Sequence, residues 1–274
     1  MLSVNTNVWA MSALATLNAI NRELAVVQQR ITTGLRVASA KDDPSTWAIA
    51  QMQRSELGGL KQVSLSIQRG QAVVDVAMMA GENISDLVLQ MKDKAVAAMD
   101  FPAGSTERAA VNEEYLSLRR RIDQIANTSD FNGINLISAG GSDSVQALAD
   151  TKGGRISVAH VDLSTTGSAL SGLPTDLTGT VDSTTIEALS TGLSNVNSAL
   201  GRLGTGHKAL QTHLEYVGKL QDTMEASIGR LVDADLAKES ARWQALQVRQ
   251  QLAIMALSMA NRQPSIILQL FQQR

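Results

Sequence analysis

Apolar residues recur at intervals of three and four near both ends of the chain, which places them on one face of an α-helix. In the N-terminal stripe, interrupted once by Asn21, the apolar residues are Leu14, Leu17, Leu24, Val27, Ile31 and Leu35. The C-terminal stripe has a heptad-like spacing and consists of Ala241, Ala245, Val248, Leu252, Met255 and Met259. Neither stripe can be buried by its own helix, so we expect the two ends to pair with each other or with neighbouring chains.

Polar residues, glycines and prolines mark where the helices begin and end. Residues 5–7 and Gly34 bound the first helix, and a break is expected at residues 39–43. Asp43 followed by Pro44 starts a second helix, which is expected to reach about Met99. A third helix starts at residues 105–107 and ends at about residue 128. Helical patterning returns at about residue 184, with breaks expected at residues 201–206, at 232–235 and at Pro264.

The middle of the chain has a different pattern. Residues 138–185 are dense in Ser, Thr, Gly and Asp, with short alternating runs such as residues 155–163. This composition predicts a small β-rich or loop region. The predicted fold is therefore mainly α: a long-helix coiled-coil bundle formed by the N- and C-terminal segments, with a small β-rich central insertion.

Composition supports long packed helices and excludes several functions. The 274 residues include only three Phe, three Trp and two Tyr, so small and unbranched apolar residues must form the buried seams. The net charge of −2 gives no strong attraction to nucleic acid or to an anionic membrane, and we expect neither as a partner. No apolar run is long enough to span a membrane, and the opening residues do not resemble a cleavable secretory signal.

The sequence offers no catalytic, cofactor-binding or metal-binding constellation. His207 and His213 are six positions apart and lie on different faces of a helix, so we interpret them as solvated or packed side chains. Residues 201–208 resemble a phosphate loop but have His207 where the lysine is needed. Helix capping explains the acidic pairs Asp42, Asp43, Asp233 and Asp235. We therefore expect a protein that is not an enzyme and has no cofactor.

Several stretches, in order along the chain, resemble the bacterial flagellins. They are VNTN at 4–7, QQRITTGLR at 28–36 with SAKDD at 39–43, IDQIANTSDFNG at 122–133, IGRLVDAD at 228–235, and the terminal positions Ala260, Asn261, Gln263, Pro264 and Leu268. The residues that carry the family motif are Arg36, Lys41, Asp42, Asp43, Asn127, Phe131, Asn132 and Gly133. The likeness covers residues 1–138 and 190–274, and PSTW at 44–47 replaces the small residues usual in the family.

The resemblance implies a structural subunit of the flagellar filament that polymerises through the two terminal stripes. It implies filament-core helices at 1–43 and 232–274, an outer helical domain at 44–138 and 185–231, and a surface-exposed variable region at 139–184. The implied partners are further copies of the chain, the flagellar cap and hook-junction proteins, the flagellin export chaperone and the export apparatus. The implied location is extracellular, after secretion, in the filament, with O-linked sugars on the variable region.

Two alternatives remain open from the sequence. A hook–filament junction protein shares the terminal pattern, and a flagellin-like surface protein could bind a polysaccharide. The middle region has few aromatic residues for stacking on sugars, and residues 138–185 contain no Glu, which disfavours an embedded enzyme. Electron microscopy of self-polymerised protein separates filament subunit from junction protein.

One stretch departs from the flagellin pattern recognised by a Toll-like immune receptor. Residues 89–98 read LQMKDKAVAA, where responsive relatives have Arg and Leu at the positions of Gln90 and Lys94. Glu114 keeps the acidic residue of the adjacent helix. We therefore predict weak activation of this receptor.

Overall fold

The structure is a computed structural model that describes residues 6–272, with side chains up to residue 262. Within this range the chain forms five helices and one two-stranded sheet, in agreement with the predicted mainly α fold. The helices are α1 (Val8–Thr33), α2 (Pro44–Met99), α3 (Thr106–Thr128), α4 (Ser183–Val232) and α5 (Leu236–Gln272). Strands β1 (Val145–Leu148) and β2 (Arg155–Val158) pair antiparallel, with Val145 opposite Val158. Residues 1–5 of the flagellin-like stretches, and the side chains of Gln263, Pro264 and Leu268, lie outside this description.

The expected capping residues set the ends of the first three helices. Asn7 accepts a hydrogen bond from the amide of Ala10 and begins α1, while Gly34 ends it in the left-handed region with φ of 70°. Asp43 Oδ1 accepts from the amides of Ser45 and Thr46, each at 3.1 Å, and begins α2. The predicted starts and ends of α1, α2 and α3 are confirmed.

Two predicted helix breaks are wrong. Helix α4 runs without interruption through residues 201–206, and α5 continues through Pro264. In α4 Gly206 serves packing: a Cβ there would lie 2.9 Å from Val158 Cγ1, so the strand can approach the helix at this position only because it is a glycine. Tertiary contacts therefore outweigh the helix-breaking tendency of about 1 kcal/mol per glycine. The break predicted at residues 232–235 is confirmed.

The chain divides into two compact units. Unit 1 consists of Met1–Ser55 and Thr223–Arg274, and unit 2 consists of Glu56–Asp222. Helices α2 and α4 each contribute to both units. The three-part division into 1–43 with 232–274, 44–138 with 185–231, and 139–184 stays a prediction.

Unit 1 is built on the antiparallel pair of α1 and α5. At one end of this pair Asn7 Nδ2 donates to the carbonyl of Ala260 at 2.8 Å, and towards the other Arg30 binds Glu239 at 3.0 Å. The chain beyond α1 is fastened to the end of α4, because the amides of Arg36 and Val37 both donate to the carbonyl oxygen of Val232. The buried apolar residues of the unit include Val27, Val37, Ala50, Ile228, Val232, Leu246 and Ala253.

Unit 2 has its own core, and the middle of the chain takes part in it. The buried apolar side chains come from α2, α3 and α4, and from the segment that the sequence placed on the surface: Leu163, Leu170 and Leu177 are fully buried there. Four side chains of α3 bind the backbone of residues 174–179: those of Arg108, Asn112, Tyr115 and Arg119. Residues 139–184 therefore contribute buried side chains to this core, and their role as a surface-exposed variable region of the filament stays a prediction.

Candidate assembly surface

The seam between α1 and α5 is a heptad repeat on both helices. The shielded residues of α1 alternate in steps of three and four: Ala10, Ala13, Leu17, Ile20, Leu24, Val27 and Ile31. Along α5 the matching series is Glu239, Trp243, Leu246, Gln250, Ala253, Leu257 and Ala260, with Trp243 the most exposed at 36 %. Alternating steps of three and four keep both rows facing each other along two helices that coil together.

Most of the N-terminal stripe predicted from the sequence lies in this seam. Leu17, Leu24, Val27 and Ile31 are all shielded, and Leu35 lies half-buried just beyond the helix, paired with Asp233. Two positions differ from the prediction. Leu14 is 48 % exposed, and Ile20 occupies the seam position that the sequence reading gave to Asn21. Asn21 is exposed and accepts a hydrogen bond from Gln250 at 2.7 Å.

The C-terminal stripe predicted from the sequence lies on the other side of α5. It is displaced from the seam by two positions, a rotation of about 200° at 3.6 residues per turn. Its six members are all exposed, and the larger ones are Val248 at 56 %, Leu252 at 59 %, Met255 at 60 % and Met259 at 65 %. We call this surface, from Ala241 to Met259, the outer stripe of α5. It is about 27 Å long at 1.5 Å per residue. Its role in polymerisation stays a prediction.

Apolar residues are also exposed at the start of α1. Val8, Trp9 and Met11 are 68 %, 71 % and 64 % exposed. Because Asn7 binds the carbonyl of Ala260, this turn of α1 lies at the same end of the helix pair as Met259. Unit 1 therefore displays large apolar side chains on both of its terminal helices.

Polar contacts accompany the seam at intervals. Arg30 NH1 binds Glu239 Oε1 at 3.0 Å, and Arg242 NH2 binds Glu23 Oε2 at 3.4 Å. Glu239 is buried, and its second carboxylate oxygen has no hydrogen-bond partner among the described residues. A charged pair at a seam position fixes the register of two helices, because a shift would leave the charges unpaired.

The flagellin-motif residues mainly close turns. Asp42 accepts from the amides of Ala38 and Ser39, and the Ser39 amide bond is the main cause that lowers the pKa of Asp42. Arg36 donates to the carbonyl of Leu231 at 2.6 Å, and Lys41 is exposed.

Three other motif residues build one tight turn. Asn132 and Gly133 have φ of 53° and 77°, the combination that a type I′ turn needs and that Asn-Gly supplies. Phe131 and Ile134 close the turn with two backbone hydrogen bonds of 3.0 and 3.1 Å. Asn127 accepts from the amide of Ala139 at 3.3 Å.

The residues compared with the immune-receptor motif lie together on the surface of unit 2. Gln90 and Glu114 are exposed, and Lys94 is half-exposed. Lys94 Nζ lies 2.5 Å from Glu114 Oε2, an ion pair between α2 and α3. The structure thus gives Lys94 a partner within the chain.

His207 and His213 each have a polar partner in another segment of the chain. His207 Nε2 lies 3.1 Å from Asp75 Oδ1, and His213 Nε2 lies 2.7 Å from the carbonyl oxygen of Ala149. Among the described residues no group of three His, Cys, Asp or Glu side chains is placed to hold a metal ion. In the same part of the chain, no helix is both long and apolar enough to cross a membrane.

Comparisons with known proteins find matches over almost the whole length of the chain. A family model described as the bacterial flagellin N-terminal helical region matches residues 4–141, and one described as the C-terminal helical region matches residues 185–271. Flagellin FljK of Caulobacter vibrioides is 43 % identical over 270 residues, which cover 98 % of each chain. The chain belongs to the bacterial flagellin family. A flagellin of Brucella melitensis is 34 % identical over 286 residues, covering 99 % of this chain and 100 % of its own.

Membership of this family gives the role of the chain in an assembly. This flagellin is a structural subunit of the flagellar filament and forms a homopolymer with copies of itself. A solved structure described as a flagellar hook-associated protein from Vibrio parahaemolyticus has a TM-score of 0.58 and 15 % identity, and covers 70 % of this chain and 100 % of its own. At that identity the likeness shows a shared fold, and the full-length flagellin matches favour the filament subunit over the junction protein.

Proposed function

We propose that the outer stripe of α5 is a surface through which one flagellin subunit binds the next in the filament. The observation that carries this proposal is the exposure of Val248, Leu252, Met255 and Met259 on a helix whose opposite side is already covered by α1. A continuous apolar surface of this length is uncommon on a protein that stays monomeric. The occupant we propose is a second copy of the chain, because the family forms homopolymers.

The apolar residues at the start of α1 extend the same surface. Trp9 and Met11 are more than 60 % exposed and lie at the end of the helix pair where the outer stripe ends. Trp is among the residues that contribute most to protein interfaces. The seam residues Leu17, Leu24, Val27 and Ile31 act indirectly in this proposal, because they hold α1 and α5 together.

Leu252→Asp tests the proposal. The aspartate is solvated in the monomer, but in the filament it would be buried against apolar side chains, which costs about 3 kcal/mol or more. We expect the critical concentration for seeded elongation to rise at least about 100-fold, with the helical circular dichroism unchanged. The matched control is Leu65→Asp, the same change at a leucine of α2 that is 50 % exposed outside the outer stripe, which should elongate within a few-fold of wild type. Normal elongation of Leu252→Asp would overturn the proposal.

We also propose that the chain leaves the cell through the flagellar export apparatus with the help of an export chaperone, and that it joins cap and hook-junction proteins outside. The flagellin family matches at both ends of the chain support this. Sequencing of subunits dissociated from filaments should therefore find the N-terminal residues intact. A mature start some 20 residues downstream would contradict export without cleavage.

A further inference from the structure

The outer stripe of α5 contains two oxidisable side chains. Met255 and Met259 are one helical turn apart on it, 60 % and 65 % exposed. The other members, Ala241, Ala245, Val248 and Leu252, have no atom that mild oxidants attack. The chain has no cysteine, so methionine thioethers are its main targets for a two-electron oxidant.

We propose that Met255 and Met259 form an oxidation site that controls assembly: conversion to the sulfoxide blocks binding of a second subunit, and assembly in turn closes the site. This inference rests on the proposed function of the outer stripe. The reacting oxidant is a hydroperoxide, of which hydrogen peroxide is the probe. The site is open in the monomer and is covered by the neighbouring copy in the filament.

The chemistry needs nothing beyond the thioether and the peroxide. A lone pair on sulfur attacks one peroxide oxygen and forms the S–O bond while the O–O bond breaks. The leaving hydroxide takes up the proton of the transferred oxygen and departs as water. Sulfur is oxidised by two electrons to the sulfoxide, and the peroxide is reduced to water. Methionine sulfoxide reductases reverse this step, so the modification is reversible.

The effect is confined to assembly because of where the two side chains lie. In the monomer the sulfoxide oxygen points into water, and the seam with α1 on the other side of α5 is untouched. In the filament the same oxygen would be buried next to Val248 and Leu252, which carry no hydrogen-bond donor in their side chains. Burial of a polar group without a partner weakens binding by roughly ten- to a hundredfold.

The experiment compares seeded elongation before and after a limited dose of hydrogen peroxide. Wild type should show a critical concentration raised by roughly ten- to a hundredfold after treatment, with unchanged helical circular dichroism, and recover after incubation with methionine sulfoxide reductases. Met11, 64 % exposed, extends the same proposed surface, so both double variants are made in a Met11→Leu chain, which replaces wild type as their reference. In that chain Met255→Leu with Met259→Leu should elongate after treatment within about twofold of its untreated state. The matched control, Met52→Leu with Met79→Leu, removes two methionines that are 70 % and 62 % exposed elsewhere and should stay as sensitive as the reference chain.

The inference is overturned if Met255→Leu with Met259→Leu leaves elongation as sensitive to peroxide as in the reference chain. It is also overturned if Met52→Leu with Met79→Leu protects elongation from peroxide. If the double variant elongates poorly untreated, each single variant should retain part of the sensitivity, and undiminished sensitivity in both would count against the site. Peptide mass spectrometry gives a second readout: oxidation of Met255 and Met259 should be at least tenfold slower in preformed filaments than in monomer, and equal rates would overturn the inference.

The two proposals fail in different ways. If Leu252→Asp elongates normally, the outer stripe is not part of the subunit interface, and both proposals are wrong. If Leu252→Asp blocks elongation but peroxide-treated wild type elongates normally, the proposed interface stands. Only the proposed oxidation site is then overturned.

Discussion

Glu239 is a charged residue at a position of the α1–α5 seam that usually carries an apolar side chain. It is buried and binds Arg30 at 3.0 Å, while the Arg30 side chain remains 27 % exposed. Partial exposure of the arginine reduces the desolvation cost of the pair, so the contact helps to select one register at a modest cost in stability.

Glu239→Ala leaves Arg30 without its partner inside the seam. We expect the free energy of unfolding to fall by about 1–3 kcal/mol, measured by guanidinium denaturation. Arg30→Met together with Glu239→Leu should recover most of the loss, because apolar side chains of similar volume suit a heptad position. A double variant as unstable as Glu239→Ala would show that the ion pair itself, and not the unpaired charge, decides the stability.

Arg108 is another buried charge, and among the residues whose side chains are described it forms no ion pair with a carboxylate. It is 6 % exposed and donates to the carbonyl oxygens of Leu177, Phe101 and Gly179. Arg108→Met should therefore leave several carbonyls unpaired and lower the free energy of unfolding by about 3 kcal/mol. The control is Arg119→Met on the same helix, which is more exposed and donates to the carbonyl oxygen of Thr175; we expect less than about 1 kcal/mol there. Equal losses in urea denaturation would contradict the role of burial.

At the scale of the elements, aspartates fix several ends and turns. The Thr46 hydroxyl lowers the pKa of Asp43 at the start of α2, and the Thr184 hydroxyl lowers the pKa of Asp182 just before α4. In the hairpin, the amide of Gly154 lowers the pKa of Asp150. Each folded pKa lies below its unfolded value, so the stability these groups contribute is present above about pH 4 and is lost as the pH falls through the folded pKa.

We therefore expect the free energy of unfolding to be nearly constant from pH 7 to about 5 and to fall below about pH 4. Asparagine caps a helix about as well as aspartate but does not titrate in this range. Asp43→Asn with Asp182→Asn should keep stability at pH 7 and reduce the acid-induced loss, measured by urea unfolding at each pH. The same change at exposed Asp86 serves as the control, and an unaltered acid slope in the cap variant would contradict the assignment.

The ends of α1, α2 and α3 could be predicted because capping chemistry is local: Asn7, Gly34, Asp43 and Ser105 act within a few residues. The identity of the seam could not. Along α5 the outer stripe is more apolar than the true seam, which includes Glu239 and Gln250, and periodicity alone does not say which stripe faces a helix of the same chain. Along α1, Ala10 and Ala13 are small, so the apolar pattern is most easily started at Leu14. From that start, steps of three and four predict Asn21 and not Ile20 as the seam residue.

The break predicted within α4 is wrong for a tertiary reason. Gly206 reads as a helix breaker in isolation, but the side chain of Val158 occupies the space where its Cβ would lie. The burial of Leu163, Leu170 and Leu177 could not be predicted either, because isolated apolar residues among Ser, Thr and Gly show no helical or strand periodicity. Both features depend on contacts between distant segments.

At the scale of the molecule, the two compact units predict separate consequences of truncation. Removal of about 40 residues from either end deletes one partner of the α1–α5 seam and, in our proposal, part of the assembly surface. We expect such chains to lose polymerisation while unit 2, Glu56–Asp222, stays folded and helical on its own core. Sedimentation with electron microscopy measures the first outcome and thermal circular dichroism the second. Filaments grown from either truncated chain would contradict the prediction.

The surface of unit 2 carries the prediction about immune recognition. Gln90 lacks the forked, charged donor of an arginine, and Lys94 is held by Glu114 where an apolar contact would be needed. Loss of one central arginine can weaken an interface by about 2–4 kcal/mol, roughly thirty- to a thousandfold. We expect weak activation of the flagellin-sensing receptor by monomer in a reporter-cell assay, partly restored by Gln90→Arg with Lys94→Leu. Strong activation by the unmodified protein would contradict this.

Helix α1 pairs with a helix that the ribosome makes about two hundred residues later. Arg30 and Glu239 are 209 positions apart, and Asn7 and Ala260 are 253 apart. At about 5–20 residues per second, α1 waits roughly 10–50 s for its partner during synthesis. Throughout that interval Leu17, Ile20 and Leu24 have no partner helix to pack against, so unit 1 cannot fold before α5 has been made. Synthesis of α5, and not local helix formation, sets the earliest moment at which this subunit can become competent to assemble.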